Sequence, residues 1–96
     1  MPNTARSYTI QNNEAYSRFE TTVEGHLSVV DYELDGSVLR ITHTVVPPAL
    51  EGRGIAGALV SAALAHARAH GLKVDAQCPY ARSYMDRRPE THDLRA

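Results

Sequence analysis

The sequence predicts an α+β fold with a mixed, mainly antiparallel β-sheet, one long helix and a short C-terminal helix. Three observations support this prediction. Two alternating runs flank an Asp35-Gly36 turn signal, an alanine-rich stretch of helical period follows, and another alternating run comes after that stretch. Because a helix and a strand follow the hairpin in turn, we expect the last strand to lie parallel to the strand before the long helix.

Length and composition limit the classes of protein that this chain can be. Its 96 residues are room for a single domain, and its net charge of −1 gives no basic field to draw nucleic acid or an acidic membrane. The single cysteine, Cys78, excludes an internal disulfide and a multi-cysteine metal cluster. No apolar run approaches the roughly 18–20 residues that cross a bilayer, and no signal-peptide core is present. We therefore expect a cytoplasmic protein of one domain, with residues 1–6 as a loose tail.

The N-terminal part of the chain predicts an edge strand and a first regular strand. Residues 6–11 precede an Asn12-Asn13 turn signal and could add a strand at the edge of the sheet. From Ser17 the pattern has a period of two, and a Glu24-Gly25 pair ends it. The residues on one face of this strand are Phe19, Thr21 and Val23.

The Asp35-Gly36 pair predicts a two-residue type I′ turn between two long strands. Such a turn puts Leu34 opposite Ser37 and fixes the register of the hairpin. The expected pairs are Tyr32 with Leu39, Val30 with Ile41, Ser28 with His43, and Asp31 with Arg40. The first three pairs share one face, so His43 is expected beside the apolar residues. The fourth pairs opposite charges across the other face.

The long helix is predicted over residues 55–70. The strand before it ends at Pro47-Pro48, because proline cannot donate to a ladder, and Gly71 is the expected residue after its last turn. A strand is predicted over 72–78, and its side chains on one face are Leu72, Val74, Ala76 and Cys78.

Two prolines indicate where the short helix lies. Pro79 suits a helix start, and Pro89 suits the position after a helix end, so a helix is predicted over 80–87. The last seven residues are expected to be irregular.

A glycine-rich loop precedes the long helix. Its residues, Gly52-Arg53-Gly54-Ile55-Ala56-Gly57, match the pattern GxGxxG. Free amides at a helix N-terminus bind phosphates, and glycine lets a phosphate approach the backbone closely. A dinucleotide-binding fold is one interpretation, but the preceding strand lies in an antiparallel hairpin, Pro47-Pro48 intervenes, and eighteen residues after Cys78 are too few for that fold. Alternatively, the glycines only form a tight turn and pack against the helix, and the loop binds no ligand.

The same loop resembles another phosphate-binding motif. Glu51 to Ala56, set between a strand and a long helix, is similar to the pyrophosphate loop Gln/Arg-x-x-Gly-x-Gly/Ala of the GNAT superfamily of acyl-CoA-dependent N-acetyltransferases. Gly54 and Ala56 match the last two fixed positions, whereas Glu51 departs from the first. The further blocks that carry the resemblance are His43-Thr44-x-Val46, Cys78-Pro79-Tyr80, Ser83-Tyr84, Pro89-Glu90 and Asp93-Leu94. They resemble the short YjdJ-type branch, over residues 18–94.

This resemblance implies a fold, an activity and a cosubstrate. The fold is a minimal GNAT-like sheet with the long helix after the pyrophosphate loop. The activity is transfer of an acetyl group from acetyl-CoA to an amine, which the sequence does not identify. The backbone of Val45 and Val46 would hold the pantetheine, and the amides of residues 52–57 would hold the diphosphate. Arg53 and Arg87 are candidates for further phosphate contacts.

The resemblance also suggests residues for the chemistry. Tyr84 is the candidate proton donor to the departing thiolate, with Tyr80 as a weaker alternative that would also contact the cosubstrate. Cys78 is expected beside the thioester, either as a nucleophile, as a lining residue, or as a buried inert thiol. His43 suits a general base by its ordinary pKa, or is a histidine at the edge of the core.

Other functions remain as alternatives. A CoA-binding sensor or interaction module without efficient catalysis would also account for the loop, because no catalytic glutamate is evident near the strand ends. No resident metal is expected, since His66 and His70 are the only histidines at helical spacing and end an alanine-rich helix. The chain could be a monomer or a homodimer.

Overall fold

The structure, a computed structural model, describes residues 8–96, so the expected tail at residues 1–6 lies outside the described residues. The chain forms a five-stranded sheet in the order β1-β2-β3-β4-β5. The strands are β1 Gln11–Asn13, β2 Arg18–Val23, β3 His26–Asp35, β4 Val38–Val45 and β5 Lys73–Ala76. The helices are α1 Ile55–Ala69 and α2 Pro79–Asp86, with single-turn 3₁₀ segments at Glu14–Tyr16 and Pro48–Leu50 and a longer one at Pro89–Leu94. Only β5 runs parallel to its neighbour, which confirms the predicted α+β class and strand directions.

The edge strand begins later than the sequence predicts. β1 covers residues 11–13 rather than 6–11, and it pairs with β2 from Gln11 opposite Glu20 to Asn13 opposite Arg18. The Asn13 side chain then accepts a hydrogen bond from the Tyr16 amide at 3.3 Å. This bond starts the 3₁₀ turn that leads into β2, so the asparagine pair ends the edge strand instead of following it.

The β3–β4 hairpin has a two-residue turn, but the turn is Gly36-Ser37, one position later than predicted. Asp35 therefore lies opposite Val38, so the predicted pairs between the turn and Tyr32 are displaced by two residues, and those from Asp31 onwards by three. The observed pairs near the turn are Leu34 with Leu39, Glu33 with Arg40, and Tyr32 with Ile41. A displacement of two residues leaves each side chain on its predicted face. The predicted Asp31–Arg40 pair is wrong.

In this register Arg40 lies among three carboxylates. Its guanidinium contacts Glu33 and Asp35, each at 3.3 Å, and Asp75 of β5 at 3.4 Å. These carboxylates raise the pKa of Arg40, Asp35 having the largest effect. A turn at Asp35-Gly36 would have taken Asp35 out of the strand and away from this cluster.

A β-bulge in β4 reverses the faces near the end of that strand. Asp31 pairs with His43 while Tyr32 pairs with Ile41, so Thr42 is the extra residue. Beyond the bulge Thr44 lies opposite the fully buried Val30, on the face that packs against the helices. His43 consequently lies on the opposite face and is exposed. The expectation that His43 shares a face with Leu39 and Ile41 is therefore wrong.

The hydrophobic core lies between one face of the sheet and α1. The fully or nearly fully buried side chains of α1 are Ile55, Leu59, Val60, Ala63, Leu64 and Ala67. They pack on Phe19, Val30, Leu39 and Ile41, among others, of the sheet. The helix ends at Ala69, one residue before the predicted end, because Gly71 at φ 68° lets the Leu72 amide reach the Ala67 carbonyl at 2.8 Å.

After α1 the last strand is shorter than predicted, and more of the chain forms turns. β5 covers 73–76 rather than 72–78, because the amides of Gln77 and Cys78 both reach the Ile41 carbonyl and the chain turns away there. α2 begins at Pro79, one residue before the predicted start, and ends at Asp86, one residue before the predicted end. The last residues are a 3₁₀ segment instead of irregular, and the Ala96 amide donates to the Val74 carbonyl at 3.0 Å. Across residues 8–96 no helix has the length and apolar character to cross a membrane.

A histidine pair at the end of α1 should make the stability depend on pH. The His66 ring is stacked on His70, with centroids 4.1 Å apart, and meets Phe19 edge-on at 5.5 Å. Burial, and then the neighbouring His70, lower the pKa of His66, while Glu14 acts in the opposite direction. The unfolded chain therefore takes up a proton at this position before the folded chain does. The free energy of unfolding should fall as the pH drops below about 6.5.

Denaturant unfolding of the wild type and of His66→Gln, between roughly pH 8 and pH 5, measures this effect. We expect the wild type to lose stability relative to the variant as the pH falls, because the variant has no imidazole at this position. The same pH dependence in both proteins would contradict the prediction.

Candidate functional site

β4 and β5 separate at the end of their shared ladder. Their pairing runs from Val38 with Lys73 to Ile41 with Ala76. Beyond this ladder β4 continues to Val45, whereas the segment after β5 turns into α2. Within residues 8–96 the last residues of β4 therefore pair with no strand on the β5 side. Val45, in this unpaired stretch, is 53% exposed. This gap is an opening in the sheet that an extended ligand could enter by pairing with β4.

The glycine loop forms a cavity at the end of that gap. The cavity has a volume of about 140 Å³, and its lining residues are Val46, Leu50, Glu51, Gly52, Gly54, Ile55, Ala56 and Gly57. Gly54, at φ 77°, is the residue before α1, and no side chain caps the helix there. The amides of the first turn of α1 are therefore available to an anion, and the helix dipole favours one.

Two tyrosines of α2 lie over this first turn. A Cβ added at Gly57 would lie 3.2 Å from the Tyr80 hydroxyl and 3.6 Å from Cε2 of Tyr84. Tyr80 is 37% exposed, whereas Tyr84 is 9% exposed. The absence of a side chain at Gly57 thus lets both rings approach the helix, and the Tyr80 hydroxyl comes to the glycine loop. Both tyrosines were predicted from the sequence to contact the site.

The two arginines predicted to contact phosphate are directed elsewhere. Arg53 forms a two-fold ion pair with Glu24, with nitrogen–oxygen distances of 2.6 and 3.3 Å, and does not line the cavity. Each partner favours the charged form of the other, so the pKa of Glu24 is lowered and that of Arg53 is raised. The exposed Arg87 donates to the Ser83 hydroxyl at 2.6 Å. The pair with Glu24 uses two of the five N–H groups of Arg53.

Cys78 is the residue before α2 and is buried, with 5% of its surface exposed. Its Sγ lies 3.3 Å from the Thr44 hydroxyl of β4. Burial by itself raises the pKa of the thiol. The Thr44 hydroxyl and the amides of Ala81 and Tyr80 favour the thiolate and outweigh burial, so the pKa of Cys78 is lowered. The two α2 amides favour the thiolate, although the Cys78 side chain accepts no capping hydrogen bond from them.

Replacing Thr44 by valine should raise the pKa of Cys78, because the hydroxyl is the largest of the groups that favour the thiolate. The rate of alkylation by iodoacetamide, measured against pH, reports the thiolate fraction. We expect its midpoint to move to higher pH in Thr44→Val. Thr42→Val is a matched control, since the Thr42 hydroxyl donates to the Asp31 carbonyl instead. Equal midpoints in Thr44→Val and the wild type would contradict the prediction.

The bulge puts His43 on the other face of the sheet from Cys78. Thr44 contacts Cys78 on the helix side, and His43 lies opposite Asp31 on the far side. The structure therefore brings Cys78, Tyr80, Tyr84 and the glycine loop to the helix side, and leaves His43 across the sheet from them. A proton path between His43 and the other candidates would have to pass through the gap between β4 and β5.

Thr44 was given no role from the sequence, and the contact between Arg88 and Tyr84 was not predicted. Thr44 stands in the block His43-Thr44-x-Val46, but regular alternation put it on the far face, and a bulge has no clear sequence signal here. Arg88 lies with its guanidinium carbon 3.7 Å from the centroid of the Tyr84 ring and donates to the Tyr84 carbonyl at 3.3 Å. The spacing Tyr84 to Arg88 on a helix was the available signal for that contact.

A metal centre finds no support in the described part of the chain. Within residues 8–96 no three His, Cys, Asp or Glu side chains lie together so that they could hold a metal ion. The stacked His66 and His70 rings are a pair without such a third ligand.

The chain is similar to a family of known proteins and to a solved structure. A sequence profile of the family described as GCN5-related N-acetyl-transferase matches residues 18–94. The chain is also similar to a protein from Staphylococcus aureus, solved by NMR in solution and described as a "GCN5-like putative N-acetyltransferase". The TM-score is 0.74 at 26% sequence identity, and the similarity covers 100% of this chain and 91% of that chain. The profile match begins with β2 and ends with the 3₁₀ segment after α2.

Proposed function

The chain belongs to the GCN5-related N-acetyltransferase family, and from that premise we propose that it binds acetyl-CoA and transfers the acetyl group to an amine. The family predicted from the sequence blocks is thereby confirmed, and the short YjdJ-type branch stays a prediction. The observation that carries the proposal is the continuity of the glycine-loop cavity with the gap beside β4, at the point where Cys78 lies.

The glycine loop suits the diphosphate of acetyl-CoA. Gly52 and Gly54 have φ values of 82° and 77°, and a Cβ at either position would meet no atom of residues 8–96 within 4 Å, so these residues leave the backbone open to a ligand. The amides at the start of α1 offer hydrogen bonds and a positive dipole to phosphate oxygens. Glu51 lines the same cavity, and its charge opposes the diphosphate. We therefore assign the diphosphate contacts to the amides of residues 52–57, with Tyr80 as an added donor.

The gap beside β4 suits the pantetheine arm. Val45 and Val46 lie where β4 has left β5, and Val46 also lines the glycine-loop cavity. A ligand held at the loop can therefore run along this stretch of backbone towards Cys78. Acetyl-CoA supplies the thioester carbonyl when it is bound. A backbone amide aimed at the oxygen of that carbonyl stabilises negative charge there, an effect worth on the order of 3 kcal/mol.

The lowered pKa of Cys78 supports a chemical role for its thiolate. In that route the thiolate sulfur forms a bond to the acetyl carbon, the bond to the CoA sulfur breaks, and the CoA thiolate takes a proton. The amine then takes the acetyl group, loses a proton, and restores the Cys78 thiolate. In the alternative route the amine attacks directly and Cys78 only lines the site. Tyr84 is the proposed proton donor to the CoA thiolate and His43 the proposed base.

A binding module without efficient catalysis is the second candidate. The position of His43 across the sheet from Cys78 favours it, because the proposed base then lies on the opposite face from the thiol. In this case the glycine loop and the gap would still hold acetyl-CoA. A single domain acting in the cytoplasm is our proposal under both candidates.

Calorimetric titration with acetyl-CoA, CoA, NAD and ATP, followed by an assay for acetyl transfer to a panel of amines, tests the proposal. We expect micromolar binding of acetyl-CoA and CoA, and acetylation of at least one amine. Binding of NAD or ATP in place of acetyl-CoA would refute it. Binding of acetyl-CoA with no transfer to polyamines, small amines or lysine peptides would favour the binding module.

A further inference from the structure

The segment before β1 contacts the glycine loop at Arg53, a residue that does not line the loop's cavity. The Tyr8 hydroxyl donates a hydrogen bond to the Arg53 carbonyl at 2.6 Å. The Thr21 hydroxyl of β2, in a side chain that is 4% exposed, donates to the Thr9 carbonyl at 2.8 Å. Tyr8 also packs against the hydrophobic core. The segment that carries Tyr8 is therefore anchored on β2 where it meets the loop.

Arg53 is held by its side chain as well as by its carbonyl. Its guanidinium pairs with Glu24, which stands in the turn between β2 and β3. Glu24 has a φ of 53°, a left-handed conformation that two-residue hairpin turns usually fill with Asn, Asp or Gly. In this turn the residue instead brings a carboxylate to Arg53. Two separate segments of the chain thus fix the position of Arg53.

The contact with Tyr8 decides which way the peptide group between Arg53 and Gly54 points. In a trans peptide the carbonyl of one residue and the amide of the next point in opposite directions, and residues 8–96 contain no cis peptide bond. The Arg53 carbonyl points to Tyr8, so the Gly54 amide points away from Tyr8. Gly54 lines the glycine-loop cavity, whereas Arg53 and Tyr8 do not. Within residues 8–96 the Gly54 amide donates no hydrogen bond, so no bond to those residues competes with a ligand for it.

A glycine after this peptide makes the peptide easy to turn over. Glycine adopts positive and negative φ about equally well, so a change of φ at Gly54 with a matching change of ψ at Arg53 reverses the peptide at low cost. A reversed peptide would present the Arg53 carbonyl where the Gly54 amide now lies. The negative end of the peptide dipole would then face a bound anion. A hydrogen bond that holds the carbonyl outside the cavity therefore keeps a donor directed to the ligand.

From this arrangement we infer that Tyr8 is a positioning residue for the cosubstrate. Its hydroxyl holds the peptide between Arg53 and Gly54 so that the Gly54 amide is directed to the diphosphate of acetyl-CoA. Tyr8 acts through the loop rather than by contact with the cosubstrate, and Thr21 acts through Tyr8 by anchoring its segment. This inference rests on the proposed function.

Tyr8→Phe tests the inference, because it removes only the hydroxyl. We expect it to weaken the binding of CoA and of inorganic pyrophosphate by about fivefold each, the effect of one neutral hydrogen bond. Calorimetric titration measures the affinity for CoA. Titration of isotope-labelled protein with pyrophosphate, followed by the NMR shift of the Gly54 amide, measures the second affinity and reports on the peptide itself. Tyr16→Phe is the matched control, since Tyr16 is 67% exposed and does not line the cavity.

Thr21→Val gives a second test of the same contacts. It removes the hydroxyl that holds the Thr9 carbonyl, so the segment that carries Tyr8 loses its anchor. We expect weaker binding of CoA in Thr21→Val, and no further loss when this change is combined with Tyr8→Phe, because both changes act through one hydrogen bond. A purely structural role for Thr21 would give the same loss in both backgrounds. Thr22→Val, at the exposed neighbouring position, should bind CoA as the wild type does.

The outcomes separate this inference from the proposed function. Unchanged affinity for CoA in Tyr8→Phe, or equal losses in Tyr8→Phe and Tyr16→Phe, would overturn the inference and leave the proposed function standing. Additive losses in the double variant, or equal losses in Thr21→Val and Thr22→Val, would do the same. So would a Gly54 amide that pyrophosphate leaves unmoved in a wild type that binds CoA. Failure of the wild type to bind CoA would overturn both.

Discussion

Replacing Gly54 by glutamate should weaken the binding of acetyl-CoA by at least about 30-fold relative to Gly54→Gln. The two side chains have the same shape, so they differ in one negative charge at the mouth of the glycine-loop cavity. Like charges about 4 Å apart near a protein surface repel by roughly 4 kcal/mol, and screening and side-chain motion reduce that value. Calorimetric titration of both variants measures the ratio.

Gly54→Gln is the control for the backbone. Gly54 has a φ of 77°, a conformation that costs a residue with a side chain about 1–2 kcal/mol. A Cβ at this position would meet no atom of the described residues 8–96 within 4 Å, so it adds no steric clash with them. Both variants should therefore lose a similar free energy of unfolding, and the difference in affinity between them reports the charge. Equal affinities in the two variants would remove the glycine loop as the diphosphate site.

Replacing Cys78 by alanine should lower the rate of acetyl transfer by on the order of 100-fold or more, with the affinity for acetyl-CoA changed by less than about threefold. The reason is the environment of the thiol. The Thr44 hydroxyl and the start of α2 favour the thiolate, although the side chain is 5% exposed. Steady-state turnover with an accepted amine, together with titration of acetyl-CoA, gives both quantities.

Two results would assign Cys78 a different role. Unchanged turnover in Cys78→Ala would make it a lining residue and leave direct attack by the amine as the route. A parallel loss of turnover and of acetyl-CoA affinity would make it a contact of the cosubstrate without a covalent step. Cys78→Ser nearly keeps the size of the side chain and puts a hydroxyl in place of the thiol beside Thr44, so retained turnover in that variant would indicate a hydrogen-bonding role rather than a nucleophilic one.

The hairpin illustrates how far local patterns determined the fold. Alternation assigned Val30, Tyr32, Leu39 and Ile41 to one face, and all four are buried there. Near the turn the register was wrong by two residues, because a turn at Asp35-Gly36 and one at Gly36-Ser37 preserve the same alternation. In the observed register Arg40 also contacts Asp75 of β5. That residue is distant in sequence and enters only when the sheet is assembled.

The candidate site, like the hairpin, was predicted in part from local sequence, and the tertiary structure decided the rest. The glycine loop, the two helices, Cys78, Tyr80 and Tyr84 were identified from local sequence, and the structure brings them to one side of the sheet. The side chains of His43, Arg53 and Arg87 were expected near the site, but His43 lies across the sheet and the two arginines bond to Glu24 and Ser83. Long charged side chains take the partner that the assembled fold offers, and alternation along a strand does not predict that partner.

The sequence by itself determined the secondary-structure order, the parallel last strand, the buried face and the position of the glycine loop. These features follow from periodicity, turn residues and helix-end residues, which act over a few neighbouring positions. Only the tertiary structure decided the bulge at Thr42, the contact of Thr44 with Cys78 and the place of Arg88 on Tyr84. The bulge arises where β3 and β4 must pair while β4 leaves β5. A change of one residue there reverses every later side chain of the strand, and this reversal exchanged His43 for Thr44 beside the thiol.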